Sequence, residues 1–320
     1  MKNVPRSALI ALTALTILLP SCSLKKAAYN SVADMLAPEY TKKPAEGPNP
    51  MIALTGEDDP ELVADFFPTA LKIYEMMHLQ NPTHPDLAIM TGQLYVTYAN
   101  AFVQQPAERL PAERFDEQNA AYFRAKKFYV RGRDFALKGL ELRHPGIGAA
   151  CVGLDESARR DALADCELED VPGLFWAGSG ALGAFSLDPM DSEMTAWVIG
   201  ALAFLERAAE LDPLFNNGGL WEILMAFYAA APESLGGGRD KALAAYDRAL
   251  EINGGKSPGT YVAYARAFCI PAQDGAGFDE AIAKALAIDP NSDPDNRLAL
   301  TLSRRQAEWL AAHKADFILE

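Results

Sequence analysis

Several segments of this 320-residue chain end in one recurring pattern, which limits the possible folds more than any other feature. The segments are 201–213, 242–254 and 278–290, with weaker versions at 70–82 and 132–145. In each, small residues recur at helical spacing, and the clearest three close on Pro213, Gly254 and Pro290. Proline and glycine end helices, and small residues let paired helices approach each other closely. The pattern therefore predicts several helices that end alike and pack against partners.

Apolar residues follow a helical period from residue 59 onward, without the sustained alternation that is typical of strands. Partner helices are predicted at 86–103, 174–187, 219–230 and 260–270, and a last helix at 294–313. The three breakers are 41 and 36 residues apart, more than the 34-residue tetratricopeptide period, so the turns carry insertions. We predict an all-α, tetratricopeptide-like helical-repeat solenoid over 59–320 with a C-terminal capping helix.

The chain is acidic, with 29 Lys and Arg against 43 Asp and Glu and a formal net charge of −14. Nucleic-acid-binding proteins present a basic face, so this balance argues against nucleic acid as a partner. It also argues against electrostatic docking on anionic lipid. Half of the residues are hydrophobic, which is an ordinary proportion for a folded domain.

The first 22 residues have the pattern of an export signal. A positively charged start precedes an apolar run at 8–19, which fits a signal peptide and is too short to cross a bilayer. Leu19-Pro20-Ser21-Cys22 then resembles a bacterial lipobox, in which the cysteine is acylated and becomes the new N-terminus. We predict a lipoprotein signal peptide at 1–21 and lipidation of Cys22. The alternative is an ordinary cleaved signal with an incidental cysteine.

The stretch 22–58 is rich in proline and has little periodicity, which predicts a tether between Cys22 and the helical domain. Ser23, and not an aspartate that would indicate inner-membrane retention, follows the lipidated cysteine. We therefore expect a lipid-anchored protein on the periplasmic face, in the outer membrane of a host with two membranes. Several acyl chains together anchor a protein stably.

Cys151 and Cys166 lie in one polar segment, 15 positions apart. Export implies an oxidising compartment, so a disulfide between them is predicted, with two unpaired thiols as the alternative. Cys269 lies in an apolar helical run and is interpreted as a buried small hydrophobic residue.

No motif in the sequence predicts an enzyme, a cofactor or a metal site. Gly178, Gly180 and Gly183 match a dinucleotide-binding pattern, but no strand precedes them, so they are interpreted as small residues at a helix contact. The segment 289–300 begins like a calcium loop, but Pro294 and Leu300 replace its glycine and glutamate. The histidines lack metal-ligand spacing. The acidic stretch 165–170 is interpreted as a solvated loop.

Aromatic residues concentrate in the middle of the chain. Tyr95, Tyr98 and Phe102 recur at three and four positions, which places them on one helix face. They form either the core of a helix pair or the wall of an apolar ligand cavity or channel whose polar groups include Asn100, Arg131 and Arg133. Arg131 and Arg133 diverge by about 200° on a helix, so one of them is expected to be buried and paired.

Four strings in this order resemble the T-component family of tripartite ATP-independent periplasmic (TRAP) transporters. The strings are Phe67-Pro68-Thr69-Ala70-Leu71-Lys72, Leu94-Tyr95-Val96-Thr97-Tyr98-Ala99-Asn100-Ala101-Phe102, Tyr129-Val130-Arg131-Gly132-Arg133-Asp134-Phe135-Ala136-Leu137 and Phe175-Trp176. The resemblance covers the chain from about residue 59 to its end.

The resemblance implies a membrane-tethered helical-repeat protein that binds the transporter's solute-binding protein, the P-component, and handles a hydrophobic or organic-acid ligand. It also implies self-association and a pore through the helical body. The residues predicted for the ligand channel or the partner contact are Tyr95, Tyr98, Asn100, Phe102, Arg131, Arg133 and Trp176. The alternative is a generic tetratricopeptide-repeat lipoprotein that acts as a scaffold in envelope assembly.

Overall fold

The computed structural model describes residues 21–41, 51–153 and 155–319, and every regular element in this part is a helix. The all-α prediction is therefore confirmed. The predicted signal peptide lies outside the described residues except for Ser21, and so does the side chain of Cys22. Among the described helices, none combines the length and the apolar character needed to cross a bilayer.

Sixteen α-helices are found in the described part of the chain. They are α1 (Ser21–Leu36), α2 (Ile52–Thr55), α3 (Pro60–Gln80), α4 (Pro85–Tyr98), α5 (Gln105–Glu108), α6 (Phe115–Arg143), α7 (Ile147–Val152), α8 (Glu156–Ala164), α9 (Val171–Leu187), α10 (Ser192–Leu211), α11 (Gly219–Ala230), α12 (Arg239–Asn253), α13 (Pro258–Tyr264), α14 (Ile270–Ala272), α15 (Gly275–Ala287) and α16 (Arg297–Ala312). The first π segment (Ala99–Gln104) continues α4, and the second π segment (Ala265–Cys269) continues α13. Turns of 3₁₀ helix are Ala112–Arg114, Leu168–Asp170, Phe215–Gly218, Glu233–Leu235, Pro290–Ser292, Pro294–Asn296 and Lys314–Asp316.

The helices start and stop where local chemistry requires it. Aspartate side chains accept hydrogen bonds from the free backbone N–H groups of four first turns. These caps are Asp59 for α3, Asp155 for α8, Asp191 for α10 and Asp274 for α15. The predicted recurring ends are also found, at Leu211 in α10, Asn253 in α12 and Ala287 in α15. Gly254 ends α12 in the left-handed conformation, with φ of 63°, which glycine adopts without strain.

Glycines bring neighbouring helices into backbone contact. A Cβ atom on Gly92 of α4 would lie only 2.6 Å from the carbonyl oxygen of Gly132 in α6. On α9, a Cβ on Gly178 would lie 2.9 Å from the carbonyl oxygen of Ala201, and one on Gly180 would lie 2.9 Å from the Arg133 backbone nitrogen. The glycine pattern of α9 therefore serves close helix packing, as interpreted from the sequence.

The first half of the stretch predicted as a tether contains a helix, α1. α1 packs against α3, because the Tyr74 hydroxyl donates to the Leu36 carbonyl at 2.9 Å and Asn81 Nδ2 donates to the Tyr29 carbonyl at 3.3 Å. Ala33 and Ala37 are buried in this contact. Alanines at a helical spacing of four give the segment one small, apolar face. The prolines further along the chain led to the prediction of a tether over the whole stretch. Residues 42–50 lie outside the described part.

The two ends of the helical domain meet. Arg297 of α16 donates from Nε and Nη2 to the Gly56 carbonyl oxygen, at 2.9 and 2.7 Å. Leu298 belongs to the same buried core as Val63 and Phe67 of α3. Because the last helix packs against the first helices of the domain, the helical array closes on itself.

Candidate ligand and partner site

Rings from three neighbouring elements form one aromatic cluster around Tyr98. Phe67 of α3 has its ring centroid 5.8 Å from that of Tyr98 and 5.2 Å from that of Phe102 in the first π segment. Phe128 of α6 packs edge-on against Tyr98 at 5.4 Å. Such contacts between rings are favourable beyond the apolar area they bury. Tyr98 and Phe102 thus belong to one packed aromatic cluster.

Tyr95 joins this aromatic cluster to a charged group at its edge. Its ring stacks on Phe135 with centroids 6.0 Å apart, and its hydroxyl donates to Glu75 Oε1 at 2.7 Å. Arg131 lies over the Tyr95 ring at 5.4 Å and 3.5 Å from Glu75. Burial opposes ionisation of Glu75, but hydrogen bonds from Lys72 and Tyr95 outweigh it and lower the pKa of the carboxyl. Arg131 itself is about half exposed.

Arg133 is the buried member of the arginine pair and points to another helix. Only 4% of it is exposed. Its Nε donates to Asp134 at 2.9 Å and its Nη2 to Glu193 of α10 at 3.0 Å, and its guanidinium lies 4.9 Å from the Trp197 ring. The structure does not bring Arg133 to the aromatic cluster; the side chain fixes α6 against α10 instead.

Asn100 belongs to a polar network inside the first π segment. Its Nδ2 donates to the Tyr129 hydroxyl at 3.0 Å, which donates to Gln104 Oε1 at 2.6 Å. Gln104 Nε2 in turn donates to Glu108 Oε1 at 2.9 Å. Tyr129 is almost fully buried, and burial raises the pKa of its hydroxyl. The network therefore connects the first π segment to a carboxylate at the end of α5.

The second π segment repeats the sequence of the first. Tyr261-Val262-Ala263-Tyr264-Ala265-Arg266-Ala267-Phe268 matches Tyr95-Val96-Thr97-Tyr98-Ala99-Asn100-Ala101-Phe102 at six of eight positions. A proline follows each string within four residues, and proline cannot supply the next helical hydrogen bond. Both strings widen into a π segment at the same register. Such distortions are frequent at functional sites.

Arg266, at the position equivalent to Asn100, connects the second π segment to the end of α5. Its Nη1 lies 3.0 Å from Glu108 Oε2. Sequence reasoning had singled out neither Arg266 nor Glu108 as a site residue. The signal that could have found them is the duplicated string, because it assigns Arg266 to the register that Asn100 occupies in the first copy.

Two pockets are found in the described part of the chain. One, of about 600 Å³, follows the exposed face of α6 and includes Arg131, Phe123 and Phe135. The other, of about 540 Å³, lies between α1 and the turn from α3 to α4. Neither is lined by Tyr98 or Phe102. The channel predicted beside this helix pair therefore remains a prediction.

Trp176 and the two cysteines lie elsewhere in the molecule. Trp176 packs edge-on against Phe175 at 4.7 Å and is half-buried between two cores. Cys151 and Cys166 are buried free thiols, so the predicted disulfide is not formed in this structure. Burial raises the pKa of both thiols to about 12. Cys269 is also buried, as predicted.

The acidic stretch 165–170 was predicted to be a solvated loop. Asp165 and Glu167 are exposed as predicted, but Asp170 is buried. Asp170 is 1% exposed, lies 2.7 Å from His144 Nε2, and accepts from Arg143 Nη1 at 3.3 Å. Arg143 also donates to Asp86 at 2.7 Å. Cys166, His144 and Asp170 place donor atoms within 4.8 Å of one another. The Asp170 oxygens are already occupied beside a guanidinium, so this group is a buried ionic junction between helices.

A row of apolar side chains on α3 faces solvent. The row consists of Leu62, Phe66, Ile73 and Met76, all between 40% and 58% exposed. At 100° per residue these positions fall within about 80° of one another, so they share one helix face. Contiguous exposed apolar surface of this kind is typical of protein contacts.

Comparison with known proteins places the chain in a family. The family model described as "TRAP transporter T-component" matches residues 56–318, nearly the whole chain. An uncharacterised protein of Treponema pallidum (strain Nichols) is 43% identical over 308 residues, covering 95% of each chain. The chain belongs to the TRAP transporter T-component family, a class of transporter components. This confirms the resemblance drawn from the four strings, and it supports a role associated with a TRAP transporter.

Proposed function

We propose that this protein is a lipid-anchored T-component that docks the solute-binding protein of a TRAP transporter and handles a hydrophobic or organic-acid ligand. The observation that carries the proposal is the family match over residues 56–318. Helix pairs with recurring ends, closed by the contact of α16 with α3, support a tetratricopeptide-like solenoid as its framework. The lipobox at Cys22 supports anchoring on the periplasmic face of the outer membrane.

The docking face in this proposal is the apolar row of α3. A solute-binding protein is a folded partner, and burying exposed Phe66 and Met76 against it would remove apolar area from water. The side chains point away from the aromatic cluster, so a partner can bind there without disturbing the core. Self-association of the protein through the same row is the competing outcome of the experiment.

The experiment is a pull-down of the transporter's solute-binding protein with Cys22→Ser protein as bait. We expect the substitution to move the protein from the membrane fraction to the soluble fraction, and the soluble bait to capture the solute-binding protein. Phe66→Asp combined with Met76→Asp should abolish capture, whereas Leu235→Asp, an equally exposed apolar position elsewhere, should not. Membrane retention of the Cys22→Ser protein would contradict lipidation. Undiminished capture by the α3 double variant would contradict the docking face, and no capture by the bait would contradict docking.

A further inference from the structure

A second row of apolar side chains faces solvent on α1, and we call it the outer row. Its members Tyr29, Val32 and Met35 are 38%, 44% and 63% exposed. At about 100° per residue the three positions fall within about 120° of one another, so they form one side of the helix. Leu24 and Ala28 precede Val32 in the sequence at intervals of four, which continues the same apolar register towards the N-terminus.

The other sides of α1 have different surroundings. Ala33, and Ala37 just past the end of the helix, are buried against the helical body. On a third side, the exposed carboxylate of Asp34 lies 3.1 Å from Nε2 of His84, in the turn from α3 to α4. Ser31 is exposed on that side as well. An apolar side next to a polar side is the pattern of a helix that lies at the surface of a membrane.

The outer row begins close to the position at which the proposed function anchors the chain. Tyr29 lies seven positions after Cys22, about two helical turns, so the two positions share one side of α1. At about 1.5 Å per residue, Met35 is about 20 Å along the helix from Cys22. Once Cys22 carries acyl chains, the outer row is therefore held near the bilayer surface. Tyrosine is also enriched at the interface between membrane and water.

We propose that the outer row of α1 lies on the phospholipid surface beside the acylated Cys22, with Val32 and Met35 against the acyl chains. The inference rests on the proposed lipidation and goes beyond it, because contact of α1 with the membrane fixes the orientation of the body. Tyr74 and Asn81 of the body donate hydrogen bonds to α1, so the body follows the helix. The contact is apolar and needs no attraction between the acidic chain and anionic lipid.

The test places a polarity-sensitive fluorophore on either side of α1 in the full, acylated chain. Met35→Cys carries the label on the outer row, and Ser31→Cys, exposed on the polar side of the same helix, is the matched control. Wild type is the blank, because the thiols of Cys151, Cys166 and Cys269 are buried. In phosphatidylcholine vesicles with added nitroxide-labelled phosphatidylcholine, quenching at Met35→Cys should exceed that at Ser31→Cys about fivefold or more, since an interfacial helix buries its apolar face.

Val32→Asp supplies a second measurement, in which the label stays at Met35→Cys and the helix changes. A carboxylate in the outer row opposes contact with acyl chains, so quenching of the label should fall about threefold or more. The acyl chains at Cys22 should still keep this variant in the vesicle pellet. Ser31→Asp is the matched control and should leave the quenching unchanged. Both positions are exposed, so neither substitution removes packing in the core.

The outcomes separate a membrane contact from a flexible tether. Equal quenching of the Met35→Cys and Ser31→Cys labels in vesicle-bound protein would overturn the contact and leave lipidation intact. A blue-shifted Met35→Cys label in soluble Cys22→Ser protein without vesicles would also overturn it, because protein and not lipid would then cover the outer row. If the chain with Cys22 intact fails to reach the vesicle pellet, the proposed lipidation is contradicted, and the membrane contact with it. The pull-down tests docking through α3 independently.

Discussion

Glu222 of α11 is an ionisable side chain that lies at the contact with α13. Its carboxyl accepts hydrogen bonds from the hydroxyls of Thr260 and Ser257, and Asn253 Nδ2 donates to the Thr260 oxygen at 2.8 Å. Burial raises the pKa of Glu222 above its ordinary value of 4.5, although the two hydroxyl bonds oppose the shift. Between pH 4.5 and the raised pKa, the folded state therefore keeps a proton on Glu222 that the unfolded chain has already lost.

This raised pKa makes the folded protein less stable as pH rises from 4.5 through the raised value, because the unfolded state binds fewer protons in that window. Glu222→Gln keeps an oxygen for Thr260 and cannot ionise. We expect equal free energies of unfolding for variant and wild type at pH 4, and a more stable variant at pH 7, by urea denaturation. A variant destabilised equally at both pH values would show that ionisation of Glu222 is not what limits stability.

At the scale of elements, the contact between α4 and α6 depends on glycine. A Cβ atom on Gly132 would lie 2.7 Å from Val96 Cγ2 and 2.9 Å from the Gly92 carbonyl oxygen, and backbone cannot move aside as a side chain can. Gly132→Ala should therefore lower the free energy of unfolding by about 1–3 kcal/mol. Urea denaturation gives this value, and near-ultraviolet circular dichroism reports on the adjoining aromatic cluster.

Gly275→Ala is the matched control, because the same added methyl group on α15 would meet its nearest neighbours at 3.5 Å or more, an ordinary contact distance. We expect that substitution to be neutral or slightly stabilising, because alanine lowers the conformational entropy of the unfolded chain. If Gly132→Ala proves as stable as Gly275→Ala, the backbone contact between α4 and α6 does not limit their packing.

The helices were predictable from the sequence and their irregularities were not. Helix period and breakers are local signals, so the helix 219–230 was predicted to the residue and the ends near Pro213 and Gly254 were found. The π segments depend on Pro106 and Pro271 further along the chain as well as on packing, and were predicted as ordinary helix. α1 was predicted as tether, since its few apolar residues gain a partner only from α3.

The candidate site was predictable in part for a similar reason. Tyr95, Tyr98 and Phe102 were assigned to one face from their spacing, and the structure brings them into one aromatic cluster. The Arg266–Glu108 pair joins residues 158 positions apart. Such a contact depends on how the whole array curves, and no local spacing encodes it.

The contact between the chain's two ends is a property of the whole molecule. Its parts are the two hydrogen bonds from Arg297 to the Gly56 carbonyl, the packing of Leu298 in the core with Val63, and the pair of Arg305 with Glu61. Arg305 and Glu61 are exposed, so their pair contributes little. The Arg297 bonds contribute more, because a charged donor satisfies a backbone carbonyl at the joint.

Arg297→Ala should loosen this joint without unfolding the middle of the array, since each helix pair is stabilised mainly by its neighbours. We expect hydrogen exchange to rise by one to two orders of magnitude in 52–62 and at the start of α16, as about 1.5–3 kcal/mol is lost, and to stay unchanged in α9 and α10. Arg304→Ala is the matched control, because Arg304 on the same helix donates to the carbonyls of Leu286 and Ile288. Loss of the Arg304 side chain should raise hydrogen exchange near the end of α15 and leave 52–62 protected. An equal rise along the whole chain after Arg297→Ala would mean that the domain opens as one cooperative unit and that the joint has no separate stability.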